Sequence, residues 1–439
     1  MSTLNVDKVD PNTGTALELG TSGDTITVPT GAGLTVVDEV KTNKVSPATG
    51  TAFALGDSGD TFTVPSGATI VNSGTATGFG ITSASFLPTA NPLIINGDFA
   101  VAQRTTSTAS VSSGANYVSD RFSFNIGTGG TWTISQEALT ADEAFEDGFS
   151  TAFKADNTTA NASLSAASYI QFTQKIEAQD LQLIKYGSST AEKMTLAFWV
   201  KATKTGTNII EMYQHDSGRS VSVAYTVSST NTWEHKIVDI PADTGGTMNN
   251  DNGAGLEIIW WLVAGTNFTS GSLQTSWGAN TTAARAVGQV NNADSTSNNV
   301  HITGVQLEVG EYTSSTIPPF RHESYGDNLE RCSRYFQVMA RGLVGRGQTS
   351  TTCSVGGTYP YGQMRATPTI TLNTTSGIAS SIQTPGVDAY DISSLDSNSS
   401  NYLGIFVKFV TDGSPAISAG NIMVTNGNAN PLLLMDAEL

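Results

Sequence analysis

Apolar and polar residues alternate with a period of two over much of the region between positions 91 and 320. Ile170, Phe172 and Ile176 fall on one face of an extended strand, and residues 221–227 repeat the pattern. Residues 256–264 are more continuously apolar, as expected for a central strand that is covered on both faces. Many strands, abundant turns and no long helical pattern predict an antiparallel β-sandwich of jelly-roll type over residues 89–320.

One segment departs from this alternation and predicts a helical neck over residues 321–342. Ser324 and Asp327 form a potential N-terminal capping pair, and Gly342 stands where a helix would end. Two interpretations are open, a helix packed on its own sandwich and a short trimeric coiled coil, of which we favour the coiled coil. Its seam, with intervals of four and three residues, would consist of Tyr325, Leu329, Cys332, Phe336 and Met339.

The N-terminal region contains an internal repeat, because residues 8–29 return as residues 44–65. Each copy consists of short β segments separated by Gly, Ser and Thr turns, and a unit this small cannot close a core alone. A solenoid generally needs three or more copies. We therefore predict an intertwined trimeric stalk of short β repeats over residues 1–88, which would serve as an attachment region.

After the neck, residues 343–439 again show strand patterns, most clearly at 365–372 and 403–410. A long polar stretch separates these two strands, and long loops in compact domains are often functional. The sequence predicts a small C-terminal β domain, which is a candidate receptor-binding tip. The predicted fold class is all-β throughout, with the helical neck as the exception.

Composition and charge exclude several function classes. The 439 residues carry a formal net charge of −17 and no basic cluster, which argues against nucleic acid as a partner. The longest apolar run, residues 258–264, is far shorter than the roughly 20 residues of a membrane helix, so no membrane insertion is expected. The N-terminus lacks a secretory signal. We expect synthesis in a cytoplasm and release by a route such as lysis.

Candidate chemistry is sparse. The four histidines show no metal-ligand spacing, and neither a phosphate-binding loop nor a nucleophile elbow is present. A hydrolase of glycosidic bonds would need two paired acids, but sequence cannot pair the available ones, so no catalytic residue is predicted. These acids are Asp216, Glu234, Asp239, Glu257 and Asp388.

Two further acids and two cysteines leave alternatives open. Asp98 and Glu308 could lie on adjacent first and last strands of the sandwich and bind calcium, or could be solvated acids at strand ends. No other metal or cofactor is expected. Cys332 and Cys353 are too few for a disulfide framework and are either buried thiols or a single pair.

Aromatic side chains are the candidates for sugar contacts, because a pyranose ring stacks its C–H face on an aromatic ring. Trp260 and Trp261 are adjacent on one strand, so that their rings point to opposite faces of the sheet. One of them could face a groove or a neighbouring chain. The C-terminal domain adds four tyrosines near predicted turns, which are Tyr359, Tyr361, Tyr390 and Tyr402.

A series of segments follows in order along nearly the whole chain: GDSGDTFTVPSGAT (56–69), LIINGDFAVAQR (93–104), YVSDRF (117–122), LAFWVKA (196–202), ITGVQLEVG (302–310), PFRHESYG (319–326), CSRYFQ (332–337), MRATPT (364–369) and DAEL (436–439). Together they resemble bacteriophage tail-fibre proteins, especially those of marine and cyanobacterial phages. The middle domain is similar to carbohydrate-binding modules of galactose-binding-like fold. Those modules often hold calcium, but residues 302–304 lack the paired aspartates common there.

The resemblance implies a virion protein, a tail appendage made in the host cytoplasm that attaches the phage to host surface polysaccharide. It implies a homotrimer that docks through its N-terminus onto the tail, the baseplate or an adaptor protein. A capsid-surface fibre or a purely linking fibre is the alternative. A polysaccharide-depolymerising tailspike is a further alternative, and a cellular adhesin is disfavoured because no export signal is present.

Overall fold

The computed structural model describes residues 92–339, 343–373, 381–383, 389–398, 400–401, 404–411, 413, 416–417, 422–426 and 433–439. The predicted stalk over residues 1–88 lies outside these residues. Within them the chain forms twenty strands, three short α-helices and two 3-10 helices, so that the all-β prediction is confirmed. None of the helices in this part of the chain has the length and apolarity needed to cross a bilayer.

The N-terminal part of the described chain contains eleven strands, two α-helices and two 3-10 helices. The strands are β1 Ser107–Asn116, β2 Phe122–Ala138, β3 Thr151–Thr159, β4 Tyr169–Glu177, β5 Met194–Ala202, β6 Gly206–Gln214, β7 Arg219–Val227, β8 Glu234–Ile240, β9 Ala254–Ala264, β10 Gly278–Ala279 and β11 Asn299–Val309. The α-helices are α1 Glu143–Glu146 and α2 Thr266–Thr269, and the 3-10 helices are Ala178–Ile184 and Thr282–Ala284.

These strands form one antiparallel sheet in the order β10-β7-β6-β9-β4-β2-β3-β11-β5-β8, with β1 paired to β2. The long strand β2 belongs to both halves, because its first residues pair with β4 and its last residues pair with β3. Between the two stretches Thr128 and Gly130 have φ angles of 56° and 87°. This left-handed backbone bends the strand, and the sheet folds over into the predicted sandwich.

Aromatic rings fill the space between the two halves of the sandwich. Phe153 of β3 stacks on Phe172 of β4 with ring centroids 4.1 Å apart, and Phe198 of β5 meets Trp260 of β9 edge-on at 5.6 Å. All four side chains are buried. Stacked and edge-to-face pairs of this kind add about 1 kcal/mol each to the burial of apolar surface. The core thus holds the outer faces of the strands at fixed positions.

The C-terminal part contains helix α3 and nine strands. Helix α3 spans Tyr325–Ser333, and the strands are β12 Phe336–Met339, β13 Val344–Thr349, β14 Thr352–Gly357, β15 Thr369–Leu372, β16 Ser381–Gln383, β17 Ala389–Asn398, β18 Ile405–Thr411, β19 Ile422–Asn426 and β20 Leu433–Asp436.

The C-terminal strands form two sheets that share a core. Strands β13-β14-β18-β17-β16-β19 close into a barrel, and β12-β20-β15 form a separate three-stranded sheet. Phe409 of the barrel and Met435 of the small sheet belong to the same buried cluster. Cys332 and Cys353 are both free and buried, which answers the open question about the cysteines. Burial raises the pKa of the Cys353 thiol to about 11.

The predicted extent of the helical neck is wrong. Helix α3 ends at Ser333, and Phe336 and Met339 belong to β12, which pairs with β20. Strand β20 offers backbone partners and an apolar core, and both side chains are buried there rather than on a helical seam. Cys332 is also buried, against Ile95 and Val101 of the sandwich.

The five seam residues therefore form no continuous helical face. Leu329 is partly buried against the same cluster as Cys332, and Tyr325 is 60% exposed. The structure shows α3 packed on its own sandwich. Homotrimer assembly stays a prediction.

Candidate functional site

An open groove of about 550 Å³ lies on the outer face of the sandwich, across β2, β4 and β9. Its position follows from strand alternation, because Phe172 points into the core and its neighbours on β4 point outwards. We call this feature the sandwich groove. Its floor consists of Ser123, Asn125, Tyr169, Gln171, Thr173 and Lys175.

Hydroxyl and amide groups dominate the middle of the floor. The hydroxyls of Ser123 and Thr173 lie 3.0 Å apart, and Nδ2 of Asn125 donates to Oγ of Ser123 at 2.9 Å. Among the described residues the side-chain amide of Gln171 has no hydrogen-bond partner, which leaves its donors and its carbonyl oxygen for a ligand. The floor can therefore both donate and accept hydrogen bonds.

A tyrosine ring lies at one end of this floor. Tyr169 is partly exposed, and its ring covers Gly127 on the neighbouring strand. It also meets Phe268 edge-on, with centroids 6.1 Å apart. Phe268 packs in turn against Trp261 at 5.1 Å. The tyrosine ring is thus held by neighbours and presents a fixed aromatic surface to the groove.

The same outer face is covered on its other side, over β9 and β6. Residues 265–286 pack on this half and bury Trp261 together with Ile209 and Ile259. Nε1 of Trp261 donates to Glu211, which also accepts from Nε of Arg285 at 2.9 Å. Burial raises the pKa of Glu211, although these hydrogen bonds oppose the rise.

The two sequence-predicted tryptophans are therefore structural. Trp260 points into the sandwich core, and Trp261 points outwards as alternation requires but is 1% exposed. Neither ring can contact a ligand directly. Trp261 supports the groove instead, through its contact with Phe268.

Charged residues line the wall of the groove next to β9. Glu257 stands opposite Lys175 in the strand register, and it lies 3.1 Å from Nε2 of His215. Burial alone would raise the pKa of Glu257, but the hydrogen bond from His215 and the charge of Lys175 outweigh it and hold the pKa below its usual value. This wall therefore carries an ionised carboxylate.

Residues of the C-terminal segment close the groove at the lysine end. Arg121 forms an ion pair with Glu438, and Nζ of Lys175 donates to the backbone oxygen of Leu439 at 2.9 Å. Arg365 donates to the backbone oxygen of Ala437 and holds this segment. The sandwich groove is thus built from two domains.

The predicted C-terminal tyrosines lie outside the sandwich groove. Tyr359 is buried, and its hydroxyl donates to the backbone oxygen of Asn401, so it cannot be a loop-tip contact. Tyr361 is 45% exposed, and its role as a receptor contact stays a prediction. The side chain of Tyr390 and the whole of Tyr402 fall outside the described part of the chain.

The two calcium candidates lie near one another. Asp98 and Glu308 line the same small cavity of about 20 Å³. Oδ1 of Asp98 already accepts a hydrogen bond from Nδ2 of Asn328 at 3.2 Å. Among the described residues there is no group of three or more His, Cys, Asp or Glu residues placed to hold a metal ion. Calcium binding stays a prediction.

The candidate catalytic acids are dispersed. Glu257 alone of the five lines the sandwich groove; Asp388 lies outside the described residues. Asp216 accepts hydrogen bonds from Asn249, and Glu234 accepts from Lys236. The second carboxylate of the groove, Glu438, is paired with Arg121. A general acid must carry a proton to give, so these ionic pairings do not favour hydrolysis.

Sequence reasoning missed the floor of the groove, although the signal was present. The alternation that identified Ile170, Phe172 and Ile176 as a core face also defines the opposite face of β4. That face carries Tyr169 and Gln171, but strand order alone determines which outward face stays uncovered.

No protein-family model matches the sequence, and no curated protein matches it. Several solved structures are distantly similar. The enzymatically active domain of tailspike protein 4 from bacteriophage CBA120 is 15% identical over 43% of this chain and 19% of that domain, with a TM-score of 0.23. TmCBM61 in complex with β-1,4-galactotriose is 9% identical over 50% of this chain and 99% of that one, also at 0.23. A family 30 carbohydrate-binding module is 11% identical over 51% of this chain and 94% of that one, with a TM-score of 0.22.

Proposed function

We propose that the sandwich groove binds a segment of polysaccharide. The observation that carries the proposal is the partly exposed ring of Tyr169, which lies on the same face of β4 as the amide of Gln171 and the hydroxyl of Thr173. Sugars present C–H faces that stack on aromatic rings and hydroxyl edges that both donate and accept hydrogen bonds. From Tyr169 to Lys175 the floor follows β4 for six steps of about 3.3 Å each, or about 20 Å in all. This length leaves space for several sugar rings.

The pairing of charges in the groove favours a neutral polysaccharide over an acidic one. Arg121 is paired with Glu438, and Arg285 is paired with Glu211. Glu257 adds a negative charge to the wall. An anionic sugar would therefore have to compete with carboxylates for both arginines and would meet the charge of Glu257, whereas a neutral sugar needs only the free hydrogen-bonding groups.

The experiment is a binding assay with the full chain on immobilised polysaccharides. The panel contains β-1,3-glucan, cellulose, galactan, alginate and purified lipopolysaccharide. We expect retention on at least one neutral member, and a loss of affinity of about tenfold for Gln171→Ala, as for one lost hydrogen bond and its partner's desolvation. Retention on none of the polysaccharides, or retention that Gln171→Ala leaves unchanged, would contradict the proposal.

We propose further that the protein is a virion appendage, a tail fibre that attaches a phage to host surface polysaccharide. The order of phage-like segments along the sequence supports this proposal. Three copies joined in a homotrimer would convert weak single-site binding into avid attachment through effective concentration. The N-terminus would dock on the tail, the baseplate or an adaptor protein.

Two measurements separate this role from its alternatives. Native mass determination of the full chain is expected to give a trimer, and microscopy with a labelled N-terminus is expected to place that end at the tail. A label on the capsid would favour a capsid-surface fibre. Release of reducing sugars from a polysaccharide that binds would identify a depolymerase.

A further inference from the structure

A second groove of about 540 Å³ lies on the C-terminal three-stranded sheet. Thr369 and Thr371 of β15 stand opposite Asp436 and Leu434 of β20, and both threonines are exposed. Ile370 between them is buried in the C-terminal core. The outward face of these two strands thus forms a floor of hydroxyl, carboxylate and short apolar groups. We call this feature the C-terminal groove.

Arg104 of the sandwich provides one wall of the C-terminal groove. Its guanidinium carbon lies 3.7 Å from the ring centroid of Phe336 and 4.4 Å from that of Tyr117. Nη2 of the same side chain donates to Oδ2 of Asp436 at 3.0 Å. Contacts with two aromatic rings and a carboxylate fix the guanidinium group. The wall therefore has a defined position against the floor.

The two grooves meet at Glu438, which lines both of them. Its carboxylate pairs with Arg121 on the side of the sandwich groove, and its backbone N–H donates to Oδ1 of Asp436 in the C-terminal groove at 3.0 Å. The ring of Tyr117, which lines the sandwich groove, makes a cation–π contact with the guanidinium of Arg104, which lines the C-terminal groove. Residues joined by an ion pair, a hydrogen bond and a cation–π contact thus form the boundary between the grooves.

We propose that the two grooves bind one continuous polysaccharide segment, with subsites on the sandwich and on the C-terminal sheet. This inference rests on the proposed function of the sandwich groove. A polysaccharide repeats the same chemistry along its length, and the C-terminal groove offers the same kinds of partner, which are hydroxyl groups at Thr369 and Thr371 and carboxylates at Asp436 and Glu438. The similar volumes of the two grooves indicate a ligand about twice as long as the sandwich groove alone would hold.

The test compares short and long fragments of one polysaccharide. The probes are size-fractionated fragments, from two to about twelve sugars, of the neutral polysaccharide that the full chain retains most strongly in the panel assay. We expect the longest fragments to bind about tenfold more tightly than fragments that fill only the sandwich groove, the gain of roughly one or two additional hydrogen bonds. Thr369→Ala/Thr371→Ala should remove this gain and leave the affinity for short fragments unchanged.

A matched control is available in Thr226 of β7, an exposed strand threonine that lines neither groove. Thr226→Ala should preserve the gain with length. Equal affinity for short and long fragments, or a gain that the double variant retains, would overturn the continuous site while leaving sugar binding in the sandwich groove intact. If no fragment of any length binds, both the proposed function and this inference fail.

Discussion

The ring of Tyr169 lies directly over Gly127, so that a Cβ atom on the glycine would fall 2.4 Å from Cε1 of the tyrosine. The two residues are partners in the register of β4 and β2. A glycine at this position lets the ring lie on the sheet surface, where it forms the aromatic end of the sandwich groove.

Gly127→Ala is expected to displace the tyrosine ring and weaken polysaccharide binding about tenfold, because the stacking surface moves out of line with the floor. The free energy of unfolding should fall by only about 1 kcal/mol, as for mild overpacking. Gly326→Ala is the control, because an added Cβ there meets no heavy atom closer than 3.9 Å. Binding by Gly127→Ala at wild-type strength would show that the ring position is irrelevant.

Glu177 connects the sandwich to the C-terminal domain. The buried carboxylate accepts hydrogen bonds from Arg334 at 2.7 Å and from the hydroxyl of Tyr335 at 2.6 Å. Glu177→Gln should reduce the free energy of unfolding by about 2 kcal/mol, because it leaves Arg334 without its charged partner while water still screens the partly exposed guanidinium. Urea unfolding at pH 7 measures this, and a loss below about 0.5 kcal/mol would mean that the pair does not stabilise the docking of the domains.

The effect of Glu177→Gln should depend on pH. Burial raises the pKa of the Glu177 carboxyl, but the hydrogen bonds from Arg334 and Tyr335 outweigh burial and hold it below 4.5. The ionised form therefore stabilises the folded state above about pH 4.5, and that stabilisation is lost as the pH falls further. The difference between wild type and Glu177→Gln should shrink in this range, and a constant difference would contradict the assignment.

The contribution of Asp120 to the pH dependence of stability is expected to have the opposite sign to that of Glu177. Burial raises the pKa of Asp120 from 3.8 to about 6, against the lowering effects of Arg104 and of the hydrogen bonds from Gln103. The folded carboxyl keeps its proton to higher pH than the unfolded one, so stability falls as the pH rises through this interval, by roughly 3 kcal/mol in total. Unfolding of Asp120→Asn should lack this decline between pH 4 and pH 6. Parallel pH profiles for the variant and the wild type would contradict it.

The two thiols should be unreactive in the folded protein. Cys332 and Cys353 are buried, and burial raises the pKa of both thiols, so that little thiolate forms at neutral pH. We expect a thiol reagent to label neither cysteine in native protein and both in urea. Rapid labelling of Cys332 in native protein would show that α3 does not stay packed on the sandwich.

The strands of the sandwich could be predicted because their two faces differ strongly in polarity. Phe172 and Ile176 mark the core face of β4 without knowledge of the fold. The N-cap of α3 could be predicted at Ser324, because its capping interaction with Asp327 is local. The end of the helix could not be predicted, since β20, the strand that takes Phe336 into a sheet, lies about a hundred residues further along the chain.

The position of the candidate site could not be predicted from the sequence. Aromatic side chains were expected to make the sugar contacts, but the two tryptophans chosen from the sequence are buried. Trp261 is covered by Phe268 and Arg285, and nothing local in the sequence indicates that cover. The contribution of Glu438 to the groove likewise depends on the docking of two domains.

The most direct test of sugar binding in the sandwich groove compares two tyrosines with the same chemistry and different positions. Tyr169 forms the aromatic end of the sandwich groove, whereas Tyr361 is exposed on the C-terminal domain away from it. Affinity for the retained polysaccharide is measured for Tyr169→Ala and Tyr361→Ala, after both variants are shown to unfold cooperatively like the wild type. We expect a loss of about tenfold or more for Tyr169→Ala and wild-type affinity for Tyr361→Ala. Wild-type affinity for Tyr169→Ala together with a loss for Tyr361→Ala would place the binding site on the C-terminal domain and contradict binding in the sandwich groove.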